Sequence, residues 1–454
     1  MGDVDLRMRA SDTSTGPRDV PTAAGNGAWS RAVRVWYGEH ARGLLAGELE
    51  LLGPLPALTT AALEIGVLGL TGVGKSSLLN AVVAPGTQLL PAGGVGPLTG
   101  VPIRIVAAKE RELRVRYRAG RWLLETMRAL RGAHRLGSDD LGRMSLVCTG
   151  DQYRIRDPEW LLDAIRYALH PDVGSPPDGE TSTLEALHRL HAVLEHREST
   201  VVWAANSDEG AFFRAVREHT AGQFAPLCEA IEIGWTSSFL RAGPPLIDLP
   251  GLGAVHDTHA SHTAAWLTRG RVAVLVVDRA GLPEAMAVAL RASGFLKRWI
   301  DEEAELAIAI TKLDLVADDE RRSSPHKPWE QHYFDACQRA IAQMRTQLAT
   351  LLSHAQTDGV DSERAARTVS RARIIPVSSR ERHRLEQDDG LDRSRVRSPE
   401  STGVPELQRA MLAMFRLGDP LAREIDLALR TTARAHDVEL RDDWKMFMEQ
   451  EDLT

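Results

Sequence analysis

Residues Gly69 to Ser76 read GLTGVGKS, two glycines five positions apart with a lysine and a serine directly after the second. A phosphate-binding loop needs that spacing. Glycines let the backbone turn tightly enough for its N–H groups to converge on phosphate oxygens, and a helix opening at the lysine adds the positive end of its dipole. Lys75 is then placed to reach the β- and γ-phosphates as a point charge, and the Ser76 hydroxyl to ligate Mg²⁺. The expected phosphate-binding set is Gly69, Leu70, Thr71, Gly72, Val73, Gly74, Lys75, Ser76 and Ser77.

Such a loop selects nucleoside triphosphates without choosing the base, and three later segments choose it. DLPG at Asp248 to Gly251 closes an apolar run, so that Asp248 can hold Mg²⁺, usually through water, and the Gly251 N–H comes near the γ-phosphate. TKLD at Thr311 to Asp314 closes another. An aspartate there can accept from both the N1–H and the 2-amino group of guanine, donors that adenine lacks, while the Lys312 stem covers the base and ribose edge. IIPVSS places Ser378 and Ser379 just after a strand, where a short loop can meet the base O6. The expected ligands are GTP or GDP with Mg²⁺, the base lying among Thr311, Lys312, Asp314, Ser378 and Ser379. His256, His259 and His262 form an HxxHxxH pattern, but three-residue steps drift around a helix, and these side chains are expected to be solvated or capping rather than metal ligands.

These motifs need strands to carry them. Short apolar runs stand at residues 64–70, 101–107, 230–235, 245–249, 271–278, 306–312 and 373–378, with helical patterns between several of them. An α/β fold with a mostly parallel sheet flanked by helices is the economical arrangement. The interval from about 109 to 228 reads mostly helical, with Leu184, Leu187, Leu190 and Leu194 on one face, and predicts an inserted helical lobe. Residues 1–29 read as a flexible tail. Val33, Trp36 and Tyr37 begin the apolar stripe of a helix over 30–56, and Asp419 as cap with Pro420 at the first turn opens a C-terminal helix over 418–454. The charged stretch from Ser379 to Ser401 is expected to be a solvated loop.

Composition excludes several other classes. Apolar content of 43% with 26% charged residues is that of an ordinary globular protein, and a net charge of -7 argues against a nucleic-acid coat. Three cysteines without a CxxC spacing fit a reducing compartment, and the longest apolar run, VAVLVV, is too short to span a bilayer. The expectation is a cytoplasmic chain without an integral membrane segment and without nucleic acid as a partner. Only six of the 55 basic residues are lysine, an arginine bias that suggests a GC-rich bacterial source.

The segments GKSSLLNAVV, LLPAGGVGPLTGVPIRI, PLIDLPGLG and ITKLDL, in that order, resemble the dynamin superfamily of large GTPases. The resemblance implies a dynamin-like GTPase domain over 57–417, with residues 30–56 and 418–454 as helices of an adjoining bundle. It implies that Thr99 is the switch threonine that closes on Mg²⁺ and the γ-phosphate. It also implies hydrolysis of GTP to GDP and phosphate, and homodimerisation through GTPase domains under nucleotide control. The insert is expected to offer a surface to a partner protein. Where dynamins carry Gln and Ser in the phosphate loop, this chain has Thr71 and Gly72, and Leu252 follows DLPG, so water activation falls to Thr71, main-chain groups or a partner. Only residues 418–454 follow the domain. Two other readings therefore stay open: a guanine-nucleotide-binding regulatory module with negligible turnover, and the GTPase part of a membrane-remodelling assembly whose stalk lies elsewhere. Peripheral membrane contact is left open too.

Overall fold

The computed structural model describes residues 24–40, 63–92, 102–117, 146–147, 154–155, 198–203, 209–221, 225, 228–251, 257–355, 362–387, 393–436 and 439–449. Thr99, residues 1–23 and most of the expected insert lie outside the described residues. The strands are β1 (Ile65–Leu68), β2 (Ile103–Ala107), β3 (Arg111–Tyr117), β4 (Leu146–Val147), β5 (Arg154–Ile155), β6 (Glu198–Trp203), β7 (Cys228–Trp235), β8 (Leu246–Asp248), β9 (Val272–Val277), β10 (Glu305–Ile310) and β11 (Arg373–Pro376). Nine of them form one sheet in the order β11-β10-β9-β1-β8-β2-β7-β3-β6, and β4 pairs with β5 separately. The half from β11 to β8 is parallel throughout. The β2–β7 pair is also parallel, whereas β2–β8, β3–β7 and β3–β6 are antiparallel.

The parallel half explains the apolar runs. Every residue of β9, VAVLVV, is buried, because helices cover both faces of a parallel sheet and leave no solvated side to alternate toward. Successive side chains serve different cores. Val272, Val274 and Val276 join Ile65, Val67 and Met411 on one face, while Ala273, Leu275 and Val277 join Ile308, Phe295 and Met344 on the other. A Cβ on Gly66 would stand 2.4 Å from the Trp266 ring and one on Gly270 2.5 Å from it. Only glycines let Trp266 lie flat against β1.

Three expectations change. Arg111–Tyr117 and Glu198–Trp203, within the interval expected to be mostly helical, extend the sheet as β3 and β6. RELRVRY buries only Leu113 and Val115, so it has the two-residue alternation of a half-solvated antiparallel strand, hidden by its charge content. The expected loop after Ser379 opens instead as a helix, Ser379–Gln387. The N-terminal helix begins at Ala24 rather than Ser30, and Trp29, assigned to a flexible tail, is fully buried.

A fourth expectation changes at the C-terminus: the single helix expected over 418–454 is two helices, Pro420–Ala435 and Asp442–Glu449. Asp419 caps the first as expected, accepting from the Leu421 and Ala422 N–H groups at 3.0 Å each. The Ala24–His40 helix joins them through aromatic contacts: Trp29 stacks on Phe447 at 5.1 Å and Trp36 meets Trp444 edge-on at 4.6 Å. Trp444 Nε1 donates to Asp426 at 3.0 Å, which satisfies the polar edge of a buried ring. No helix among the described residues is long and apolar enough to cross a membrane.

Candidate functional site

β1 ends at Leu68, and the chain turns through residues 69–74 into the helix Lys75–Val83. The turn uses left-handed backbone at Gly72 (φ 80°) and Gly74 (φ 97°), conformations that a side chain at either position would strain. Gly74 is the helix N-cap and has no side-chain acceptor, so the first helical N–H groups are left for a ligand. Lys75 folds over this loop: its Nζ donates to the carbonyls of Leu70 at 3.0 Å and Gly69 at 3.2 Å. Burial lowers the pKa of the ammonium, and the nearby Asp248 carboxylate offsets part of that shift.

Asp248 closes β8, next to β1, and is fully buried. Its Oδ2 accepts a long hydrogen bond from Ser76 Oγ at 3.5 Å, and its Oδ1 has no hydrogen-bond partner. Burial pushes the carboxyl up to about 6, against the opposing pull of Lys75 and Ser76. A buried carboxylate with a free oxygen beside a hydroxyl is a hard-oxygen donor set, and these residues fit Mg²⁺ completed by phosphate and water. Among the described residues no group of three or more His, Cys, Asp or Glu side chains could hold a metal by itself. Three positions beyond Asp248, a Cβ on Gly251 would stand 2.7 Å from both the N and Oγ1 of Thr71, so DLPG packs directly on the phosphate loop.

The segments expected to read the base approach the same loop. Thr311 is buried after β10, and its hydroxyl lies 2.6 Å from the Val73 carbonyl and 3.0 Å from that of Val277. Lys312 adopts left-handed backbone (φ 62°) and caps the helix Leu313–Ser323, with its Nζ 3.6 Å from Asp278. That turn sends Asp314 inward, where it is 4% exposed. Burial raises the Asp314 pKa, while backbone N–H groups and Arg380 counter the shift. The Val377 N–H donates to the Ile310 carbonyl at 2.8 Å, which sets the Ser378–Ser379 loop beside TKLD. Ser378 Oγ accepts from the Glu381 N–H at 3.2 Å, and Ser379 Oγ is buried without a partner. A cavity of about 280 Å³ opens between Ser77 on the phosphate-loop helix and Ser379 and Arg380 on this loop.

The structure thus joins the phosphate loop, Asp248 with Gly251, Thr311 to Asp314, and Ser378 with Ser379. Thr99 lies outside the described residues. Two side chains that the motifs do not include brace the site. Asn80 clamps Leu90 by donating to its carbonyl at 2.9 Å and accepting from its N–H at 2.7 Å, which ties the chain after the phosphate-loop helix back to that helix. Glu381 is 1% exposed and accepts from the Arg395 N–H at 2.6 Å, Ser394 Oγ at 3.0 Å and Arg384 Nη1 at 2.7 Å. Asn80 follows the loop at helical spacing on the buried face and was open to detection there. Glu381, amid RERHR, carries no such signal.

The model of the dynamin family matches residues 65–312. No curated protein matches. Similar solved structures include two chains described as an oligomerised bacterial dynamin pair that provides a mechanism for the long-range sensing and tethering of membranes. The first is 14% identical with a TM-score of 0.44, covering 92% of this chain and 49% of its own. The second is 14% identical with a TM-score of 0.42, covering 95% and 59%. This chain therefore spans about half of the length of the first of those chains and about three fifths of the second. With the family model extending over more than half of its 454 residues, the chain belongs to the dynamin family.

Proposed function

We propose that this chain binds GTP with Mg²⁺ and hydrolyses it to GDP and phosphate, as a cytoplasmic dynamin-like switch whose GTPase domains pair according to nucleotide state. The observation that carries this reading is the junction of three segments at one loop: Lys75 and Ser76 on the loop, Asp248 beside them with a free oxygen, and Asp314 linked to the loop through Thr311. Lys75 exchanges its loop carbonyls for β- and γ-phosphate oxygens, which are stronger charge-assisted partners. Ser76 and Asp248 hold Mg²⁺, which supplies neutralisation of the charge that develops on the phosphates. Asp314 accepts the guanine N1–H and 2-amino donors. The Ser378–Ser379 loop faces O6. Thr71, in contact with Gly251, stands where a polar group can orient the attacking water.

The test measures GTP, GDP and ATP binding by calorimetry with and without Mg²⁺, phosphate release, and mass by light scattering in each nucleotide state. Mg²⁺-dependent guanine binding, steady phosphate release and a mass increase with GTP are expected, all lost in Lys75→Ala. Tight guanine binding by Lys75→Ala would remove the assigned phosphate loop. Binding with no turnover would leave a regulatory module.

A further inference from the structure

Arg380, in the first turn of the Ser379–Gln387 helix, lies between two carboxylates: its Nη1 is 3.2 Å from Asp318 Oδ2 and 4.0 Å from Asp314 Oδ2. Both acids come from the Leu313–Ser323 helix, four positions apart and so on one face. Their environments differ. The Asp314 side chain is 6% exposed. The Asp318 side chain is 15% exposed and is held from two further directions, its Oδ1 accepting from Trp329 Nε1 at 2.8 Å and pairing with Arg395. Arg395 is itself fixed, its guanidinium 5.6 Å from the Trp329 ring centroid and its N–H donating to the buried Glu381. Arg395 uses one oxygen of Asp318 and Arg380 the other, so the two guanidinium groups do not compete for the same acceptor.

We propose that Asp318 is a positioning residue that holds Arg380 away from Asp314 and so keeps the base-reading carboxylate open to guanine. The inference rests on the guanine-nucleotide reading. A guanidinium is a better bidentate partner for a carboxylate than the amide edge of a base, because its donors carry charge and match the carboxylate fork. An unrestrained Arg380 would close on Asp314 and occupy the acceptors that guanine needs. At 4.0 Å it favours the ionised form of Asp314 without filling those acceptors.

The experiment uses the full chain with GDP and with inorganic tripolyphosphate, a probe of the phosphate loop that has no base. Asp318→Asn keeps an acceptor for Trp329 but loses the charge that restrains Arg380. Its GDP affinity should fall about ten- to thirtyfold, while tripolyphosphate binding stays within about twofold of wild type. The double variant Asp318→Asn/Arg380→Ala should recover GDP binding to within about threefold, since the competing cation is gone. A merely structural role for Asp318 would not be rescued in this way. Unchanged GDP affinity in Asp318→Asn would overturn the proposal, as would joint loss of both ligands or failure of the double variant to recover. A wild-type chain that binds tripolyphosphate but not GDP would overturn the guanine reading, and this inference with it.

Discussion

The hydroxyl of Thr311 lies 2.6 Å from the carbonyl of Val73, a bond that joins the first residue of the base-reading segment to the phosphate loop across 238 positions of sequence. On the proposed reading, phosphate and base recognition share one buried anchor. Thr311→Val keeps the shape of the side chain and leaves the Val73 carbonyl without its donor. The expected cost is about 1 to 3 kcal/mol of stability, seen as a lower thermal midpoint, together with weaker GDP binding. Thr311→Ser retains the hydroxyl and should lose less than half as much on both measures. Equal losses in the two variants would show that the methyl packing matters and the hydrogen bond does not.

Gly251 sits so close to Thr71 that an added Cβ would meet its backbone nitrogen and hydroxyl at 2.7 Å. A backbone atom cannot rotate away, so Gly251→Ala must displace DLPG or the loop. With DLPG yielding rather than the loop, GDP binding should change less than about threefold, because Lys75 and the residues expected to meet the base are not displaced, whereas turnover of GTP should fall on the order of 100-fold. Phosphate release under saturating GTP is the measurement. Wild-type turnover would place the attacking water away from Thr71.

Asp248 supplies a pH dependence. Its folded-state value, about 6, exceeds the ordinary 3.8 because the ionised form is buried, so the folded chain binds a proton that the unfolded chain has already released. In the absence of ligand, its contribution to stability should therefore decline as pH rises from about 4 to about 6 and level off above. Metal binding runs the other way, since Mg²⁺ requires the carboxylate: Mg²⁺ affinity of the GDP-loaded chain should weaken up to about tenfold per unit below pH 6. The β-phosphate of GDP titrates nearby, so comparison with Asp248→Asn isolates the carboxyl. Identical slopes in wild type and variant would assign the whole effect to the nucleotide.

Asp314 is expected to set base preference. It is 4% exposed, and leaving a desolvated carboxylate unpaired opposite adenine should cost roughly 2 to 4 kcal/mol, a factor of about 30 to 1000 in affinity. Asp314→Asn converts part of the acceptor edge into a donor, which suits the 2-oxo group of xanthine. Competition among GTP, ATP and XTP reads the change. The wild type should prefer GTP and the variant XTP, and equal displacement of bound nucleotide by ATP and GTP in the wild type would refute guanine selection.

Much of the fold was legible because a parallel sheet covered on both faces writes itself as uninterrupted apolar runs. All seven short apolar runs became strands, from Ile65–Leu68 to Arg373–Pro376, including the less continuous β2 and β7, and four of them deliver a motif at their carboxyl end. β3 carries no such run because it buries only Leu113 and Val115 and intersperses charged residues such as Glu112 and Arg114, and β6 because half of ESTVVW is polar. The helix Ser379–Gln387 was illegible for a related reason. Its polar side chains find partners only after the chain folds, Glu381 on Ser394 and Arg395, Arg380 on Asp318.

The amino-acid sequence by itself determined the glycine-rich loop between β1 and its helix, the order of the motifs and the strands that carry them, because glycine spacing and hydrophobic period are local properties of the chain. Tertiary structure alone decided that β2 runs antiparallel to β8, that Thr311 reaches Val73, and that Arg380 rests between Asp314 and Asp318. Those relations join residues far apart in sequence, or depend on how buried charges share their partners. Burial and distance, which no spacing rule encodes, set their strength.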